Sequence, residues 1–317
     1  MGNVLYVVVP CYNEEAVLPE TARRLGIKLN NLVEKGVISE KSRVMFVNDG
    51  SKDKTWELIQ EFHASDRRFS GVNLSRNRGH QNALLAGLMT AASRADAIIS
   101  MDADLQDDIE AMDKMLAAYN RGYDIVYGVR SSRASDTAFK RITAEGFYRV
   151  MQALGVDIVF NHADYRLMSK RAVEGLAEFK EVNLFLRGIV PQIGYKWTTV
   201  EYERAERFAG ESKYPLKKML SLAFDGISSF SVKPMRLILW LGVIVFGVSL
   251  VMLLWALISK LSGGTQSGWA SLMGSLWLLG GIQLLSLGVV GEYIGKIYSE
   301  VKARPRFIIE SVLDRDD

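Results

Sequence analysis

The chain has 317 residues, 49% hydrophobic and 24% charged, with a formal net charge of +3. That is room for one large domain and something smaller, and too little basic excess for a nucleic-acid binder. A single cysteine, Cys11, excludes an internal disulfide framework and a cysteine metal cluster.

Residues 5–9 are a continuous β-branched and aliphatic run ended by Pro10, which predicts a buried parallel strand. No signal peptide is expected here: the apolar run is too short, and no cationic segment precedes it. Pro10-Cys11-Tyr12-Asn13-Glu14-Glu15 reads as a loop before a helix with Val17, Leu18, Leu25, Leu29 and Leu32 near one face. Residues 44–47 predict a second strand, running into Asn48-Asp49-Gly50-Ser51-Lys52-Asp53. Gly50 suits a tight turn there, and Ser51 or Asp53 can cap a helix over residues 55–62. A third short strand, 71–74, leads to Ser75-Arg76-Asn77-Arg78-Gly79-His80-Gln81 and a small-residue helix over 82–92. A strand at Ile98, a helix near 109–119 and a strand over 124–128 follow, and no repeat or low-complexity tract interrupts them.

Alternating strands and helices predict an open, mostly parallel α/β sheet, in which ligands bind beyond the carboxyl ends of the strands. The loops over residues 12–15, 48–53, 76–81 and 102–106 all fall there. The last is the most loaded. Asp102 and Asp104 sit one residue apart after a buried run, so they project from one face. Two like charges in such a place call for a cation, and an oxygen-only pair suits Mg²⁺ or Mn²⁺. Taken alone, the same pattern also describes a solvated turn. No glycine-rich phosphate loop is present, so a nucleotide would be held by metal and acidic groups. Asp124 reads as capping or flanking a strand.

Residues 237–258 and 269–291 are uncharged apolar runs, each reaching the roughly 20 residues that span a bilayer core. Lys217, Lys218, Lys233 and Arg236 precede the pair, and Lys296, Lys302, Arg304 and Arg306 follow it, with only Lys260 between. The positive-inside rule places both flanks in the cytoplasm. The expected layout is a cytoplasmic domain over 1–214, an amphipathic juxtamembrane helix over 215–234, two transmembrane helices over 235–296 and a cytoplasmic tail over 297–317. Phe139, Ile142, Phe147, Val150, Met151 and Leu154 recur at helical spacing among basic residues. That helix either lies in the headgroup layer or packs in the core. Gly274, Gly280, Gly281 and Gly288 would allow close helix packing, within one hairpin or in a homo-oligomer.

Four motifs resemble family 2 glycosyltransferases of GT-A fold: Pro10-x-Tyr12-Asn13-Glu14-Glu15, Asn48-Asp49-Gly50-Ser51, Ser75-Arg76-Asn77-x-Gly79 and Asp102-Ala103-Asp104-Leu105-Gln106. Three later ones narrow the resemblance to polyprenyl-phosphate glycosyltransferases: Asp164-Tyr165-Arg166-Leu167-Met168, Arg207-Phe208-x-Gly210-x-Ser212-Lys213-Tyr214 and Ala223-Phe224-Asp225-Gly226-Ile227. Ser286-Leu287-Gly288-Val289-Val290-Gly291-Glu292-Tyr293 adds to them. The likeness covers essentially the whole chain and is closest to bacterial undecaprenyl-phosphate glucosyltransferases, which are related to dolichol-phosphate mannose synthases.

The resemblance implies a membrane-bound, metal-dependent, inverting transferase in the bacterial plasma membrane. It would move a sugar, glucose from UDP-glucose being favoured, to a polyprenyl phosphate. GDP-mannose, UDP-N-acetylglucosamine and modified arabinose donors stay open, as do a processive polysaccharide synthase and a non-catalytic nucleotide-sugar-binding scaffold. Asp49 would hold the nucleotide's base or ribose, with Pro10, Tyr12 and Glu14 lining that pocket; alone, Asp49 also reads as a turn aspartate. Asp102 would lie near ribose and diphosphate and share the metal with Asp104, beside Gln106. Arg130 and Arg133 suit an acceptor phosphate, which arginine binds bidentately, and otherwise read as solvated charges. Arg207 and Lys213 are candidates for the same phosphate or the diphosphate. Asp164 would act in catalysis as a base or as an orienting group.

Overall fold

In the computed structural model the described residues are 2–131, 162–203, 233–261 and 268–314. Their first elements are β1 (Leu5–Cys11), α1 (Leu18–Glu34), β2 (Arg43–Asn48), α2 (Thr55–Ser65), β3 (Phe69–Leu74), α3 (His80–Ala92) and β4 (Ala97–Ser100). Next come α4 (Ala111–Asn120), β5 (Ile125–Arg130), β6 (His162–Ser169), α5 (Lys170–Ala177), α6 (Leu186–Gln192) and β7 (Trp197–Tyr202). The chain then forms α7 (Lys233–Leu261), α8 (Trp269–Lys302) and β8 (Ile309–Leu313).

The eight strands make one sheet in the order β7-β5-β6-β4-β1-β2-β3-β8. β1 runs parallel to β2 and β4, β2 to β3, and β5 to β7. β6 is antiparallel to β4 and β5, and β8 to β3. The expected mostly parallel α/β sheet is therefore present, with antiparallel insertions. β1, β2 and β4 are buried along their whole length, because helices cover both faces. The two-residue period sorts their side chains. Val7, Val9, Phe46 and Ile99 pack with Leu18, Leu25 and Leu29 of α1 and Met112 and Met115 of α4. Val8, Met45, Val47 and Ile98 pack on the other face with Leu84, Leu85 and Leu88 of α3 and Val173 of α5. Gly87 lets α3 approach closely, since a Cβ there would lie 2.4 Å from Val8 Cγ1 and 2.6 Å from Val47 Cγ2.

Two boundaries differ from the expectation for physical reasons. β1 does not stop at Pro10 but pairs it with Val47 and continues to Cys11. Pairing with β4 ends at Val8↔Ser100, so Pro10 lies where β1 has a partner on one side only and its missing N–H is tolerated. The stretch after α8, expected as part of a tail, is also folded: β8 joins the sheet beside β3. The order β3-β2-β1-β4 places β2 and β3 on one side of β1 and β4 on the other. That reversal opens a crevice at the carboxyl ends of β1 and β4.

α7 and α8 are helices of 29 and 34 residues, about 44 and 51 Å long at 1.5 Å per residue. Leu239, Trp240, Val248, Leu284, Leu285 and Leu287 are exposed on them, an apolar surface of the kind that marks a membrane contact. Among the described residues one segment, Leu278–Lys302, is long and apolar enough to cross a bilayer. The expected amphipathic helix over 139–154 lies outside the described residues, as does the one over 215–234 except for Lys233 and Pro234, which begin α7.

Candidate active site

The loops that follow β1, β2 and β3 hold each other. Asn13 donates its N–H to Ser51 Oγ at 3.0 Å, and its Oδ1 accepts the Lys52 N–H at 2.8 Å. Glu14 donates its N–H to Thr55 Oγ1 at 2.9 Å. Asp49, buried, accepts the N–H groups of Arg78 at 2.6 Å and Gly79 at 2.9 Å, one on each carboxylate oxygen. Burial pushes its carboxyl up, against those two bonds and the nearby His80. Gly50 has φ +62°, and a Cβ there would lie 2.4 Å from Asn77 N, so the loops meet at a point that admits only glycine. Pro10 is buried at the end of β1, Tyr12 is 40% exposed at the mouth, and Glu14 is half-buried behind it. Pro10 at the end of β1 thus lies beside Tyr12, Glu14 and Asp49 on adjoining loops, although Asp49 is engaged in bracing the third loop.

Beyond β4 the two-residue alternation persists without strand pairing. Met101, Ala103, Leu105 and Asp107 are buried, while Asp102, Asp104 and Gln106 are partly open. Leu105 takes a positive φ of 57°, and the Gln106 N–H donates to Asp104 Oδ1 at 3.2 Å, bending the segment back. The antiparallel register of β4 with β6 pairs Ser100 with Arg166, and extended by two residues it sets Asp102 opposite Asp164. Ser100 Oγ donates to the Asp164 carbonyl at 2.6 Å.

Asp164 is caught between two guanidinium groups. Arg187 on α6 donates to both its oxygens, Nη2 to Oδ2 at 3.0 Å and Nε to Oδ1 at 3.3 Å. Arg166 Nη2 donates to Oδ1 at 2.9 Å from a fully buried position. Burial alone would raise the Asp164 carboxyl; Arg187, Arg166 and His80 together hold it well below the usual carboxylate range. His80 Nε2 stands between the two aspartates, 3.5 Å from Asp102 Oδ1 and 3.8 Å from Asp164 Oδ2. Asp102 moves the other way: burial and the charges of Asp164 and Asp104 push its carboxyl up, against the pull of His80 and Arg187.

Arg130 ends β5, opposite Tyr202 of β7. The Tyr202 hydroxyl donates to Asp107 Oδ1 at 2.6 Å, and Arg130 interacts with both. Burial and the Asp102 charge raise the Asp107 carboxyl to about 6, while Tyr202 and Arg130 pull it back. Arg133, Arg207 and Lys213 lie outside the described residues. Asp124 is paired with Arg171 at 2.5 Å and bonded to Ser169 Oγ, at the opposite end of β5 from Arg130.

The chemistry of the Asp102–Asp104 pair fits a hard divalent ion. Both are carboxylates, both stay partly open, and the electrostatic crowding on Asp102 is of the sign a cation relieves. Among the described residues no three His, Cys, Asp or Glu side chains converge to hold an ion by themselves. Mg²⁺ commonly takes one or two carboxylates and completes its shell from water and phosphate oxygens.

His80, Asp107, Arg187 and Tyr202 are the site residues that the sequence reading did not single out. His80 and Asp107 adjoin motifs already noted, His80 after Gly79 and Asp107 after Gln106. Arg187 and Tyr202 carry no local signal and arrive through β6, α6 and β7.

Residues 6–176 match the family described as Glycosyl transferase family 2, and residues 233–297 match the GtrB C-terminal hairpin. The "Uncharacterized glycosyltransferase YkoT" of Bacillus subtilis (strain 168) is 54% identical, over 97% of this chain and 91% of its own. The "Bactoprenol glucosyl transferase" of Shigella phage SfII is 40% identical, over 96% of each. The "Prophage bactoprenol glucosyl transferase homolog" of Escherichia coli (strain K12) is 39% identical, over 96% of this chain and 98% of its own.

Proposed function

The chain belongs to glycosyl transferase family 2, and from that premise we propose that it transfers glucose from UDP-glucose to undecaprenyl phosphate with inversion. The observation that carries the reading is the meeting of Asp102 and Asp104 with the arginine-clamped Asp164 at the carboxyl ends of the central strands. The lipid acceptor and the glucosyl group are supported by the bactoprenol glucosyl transferases that resemble the chain over nearly its whole length. In the reaction, an acceptor phosphate oxygen attacks the anomeric carbon, and the bond from that carbon to the diphosphate breaks. UDP leaves from the opposite face, so the configuration inverts.

Tyr12, Pro10 and Glu14 line the nucleotide side, with Asp49 bracing the loop that closes it. Asp102 and Asp104 would hold Mg²⁺ or Mn²⁺ beside Gln106. A metal bound there would offset the charge that grows on the departing diphosphate. An acceptor phosphate monoester, with a second pKa of about 6, is already largely ionised at neutral pH. It therefore needs no strong base. Asp164, held ionised by two guanidiniums, is a poor proton acceptor in any case. Its role is to fix Arg187 and His80 around the reacting atoms. Arg130, steadied by Tyr202, binds the acceptor phosphate, with Arg133, Arg207 and Lys213 as further candidates from outside the described residues.

The protein is membrane-associated, and the proposed topology is a two-helix hairpin of α7 and α8 in a bacterial plasma membrane, with the catalytic domain in the cytoplasm. α8, about 51 Å long, exceeds a hydrocarbon core of about 30 Å, so one end stands clear of the lipid. Incubating the purified full chain with undecaprenyl phosphate and a donor panel tests the reading by mass spectrometry of the lipid. Hexosyl undecaprenyl phosphate from UDP-glucose is expected. Hexosyl lipid from GDP-mannose alone, or N-acetylhexosaminyl lipid from UDP-N-acetylglucosamine alone, would change the donor; polymer would indicate a processive synthase, and no turnover would leave a binding scaffold.

A further inference from the structure

We propose that Glu300, near the C-terminal end of α8, is a positioning residue for sugar transfer, fixing the backbone that carries the Arg187 clamp on Asp164. Its two carboxylate oxygens accept consecutive backbone N–H groups of the segment between α5 and α6. Oε2 takes Val182 N–H and Oε1 takes Asn183 N–H, both at 2.8 Å. Bonds to an ionised acceptor are about twice as strong as neutral ones, and a pair of them fixes orientation as well as position. α6 begins three residues after Asn183, and Arg187 is its second residue.

The same short element is gripped from the other side. Leu186 donates its N–H to Gln81 Oε1 at 2.8 Å. Gln81 follows His80, which stands between Asp102 and Asp164. A second tie from beyond α8 supports the segment's start, where Arg306 Nη1 donates to the Phe179 carbonyl at 3.0 Å. Phe185 and Leu186 are buried between these anchors. The start of α6 is thus held between α3, which rises from the crevice, and the end of α8, which carries the candidate membrane span. Glu300 touches no reacting atom; it acts through Arg187.

The inference rests on the transfer reaction proposed above, and a double-mutant cycle in the full-length chain tests it. Glu300→Ala should lower kcat about tenfold and leave the donor KM within about twofold, because the donor-side loops are untouched. Glu300→Gln, which keeps one acceptor oxygen, should recover part of that loss. In an Arg187→Ala background, Glu300→Ala should cost less than about twofold more. Unchanged kcat in Glu300→Ala, or losses that multiply in the double variant, would overturn the proposal. If Glu300→Ala does not fold, the same cycle is run with Glu300→Gln. Amide exchange at residues 182–188 supplies a readout that needs no turnover: unaltered protection at Arg187 in the variant overturns the clamp. Absence of product from the unmodified chain with every donor would instead overturn the transfer reading.

Discussion

The two walls of the crevice meet at Asp102 but are held by different forces. On the wall proposed for the nucleotide, Asp49 spends its carboxylate on two neutral backbone N–H groups, and burial leaves its carboxyl raised. On the opposite wall burial would raise Asp164 as well, yet Arg187, Arg166 and His80 drive its carboxyl far down. Neutral donors brace a loop without supplying net charge, whereas guanidiniums make the aspartate a permanent anion that orients its partners. The first wall is therefore a matter of shape. The second is a matter of charge.

The largest expected effect lies where the walls meet. Asp104→Asn should reduce transfer about a thousandfold, about 4 kcal/mol in the barrier, with the thermal midpoint unchanged. Excess chelator should do the same to the unmodified chain. Full turnover with the metal stripped away would remove Asp104 from that role.

Shape is tested at Gly50. Alanine there meets Asn77 N at 2.4 Å with φ at +62°, so Gly50→Ala should destabilise the domain by about 3 kcal/mol in denaturant titrations. A variant as stable as the parent would mean that the two loops do not close on each other as described.

Charge is tested at Asp107, in the absence of nucleotide and metal. Its folded value of about 6 lies above the ordinary carboxylate value near 4. The folded chain then keeps a proton that the unfolded chain releases. That contribution is fully present below about pH 4 and is lost as pH rises through about 6. Asp107→Asn cannot ionise, so relative to the parent it should gain about 3 kcal/mol between those limits. A parallel pH profile for the two proteins would show that Asp107 does not carry the shift. Smaller again is Arg130→Ala, expected to raise the KM for polyprenyl phosphate about tenfold while UDP affinity stays constant. Equal losses for both ligands would put Arg130 on the nucleotide wall.

Legibility in the sequence followed the same division. β1, β2, β3 and β4 and their loops announce themselves through short apolar runs followed at once by Tyr12, Asp49, Arg76 and Asp102. There the chemistry sits one or two residues from the strand that positions it. The alternation that put Asp102 and Asp104 on one face continued through Gln106 even after strand pairing had ended. Asp164 was recognisable by its motif, but its partner was not. Arg187 lies 23 residues away and arrives through the packing of α6, and Tyr202 reaches Asp107 only because β7 pairs beside β5. β8 looks like part of a tail in the sequence because its pairing partner, β3, lies more than 200 residues earlier. Long-range pairings of this kind leave no local trace in composition or spacing.

Asp164→Asn probes the division of labour between the walls most sharply when UDP affinity and kcat are measured on the same folded preparation. UDP binding should stay within about twofold of the parent while kcat falls at least about a hundredfold, because only the charged wall is disturbed. A fall in UDP affinity as large as the fall in kcat, or a kcat that survives, would contradict that division.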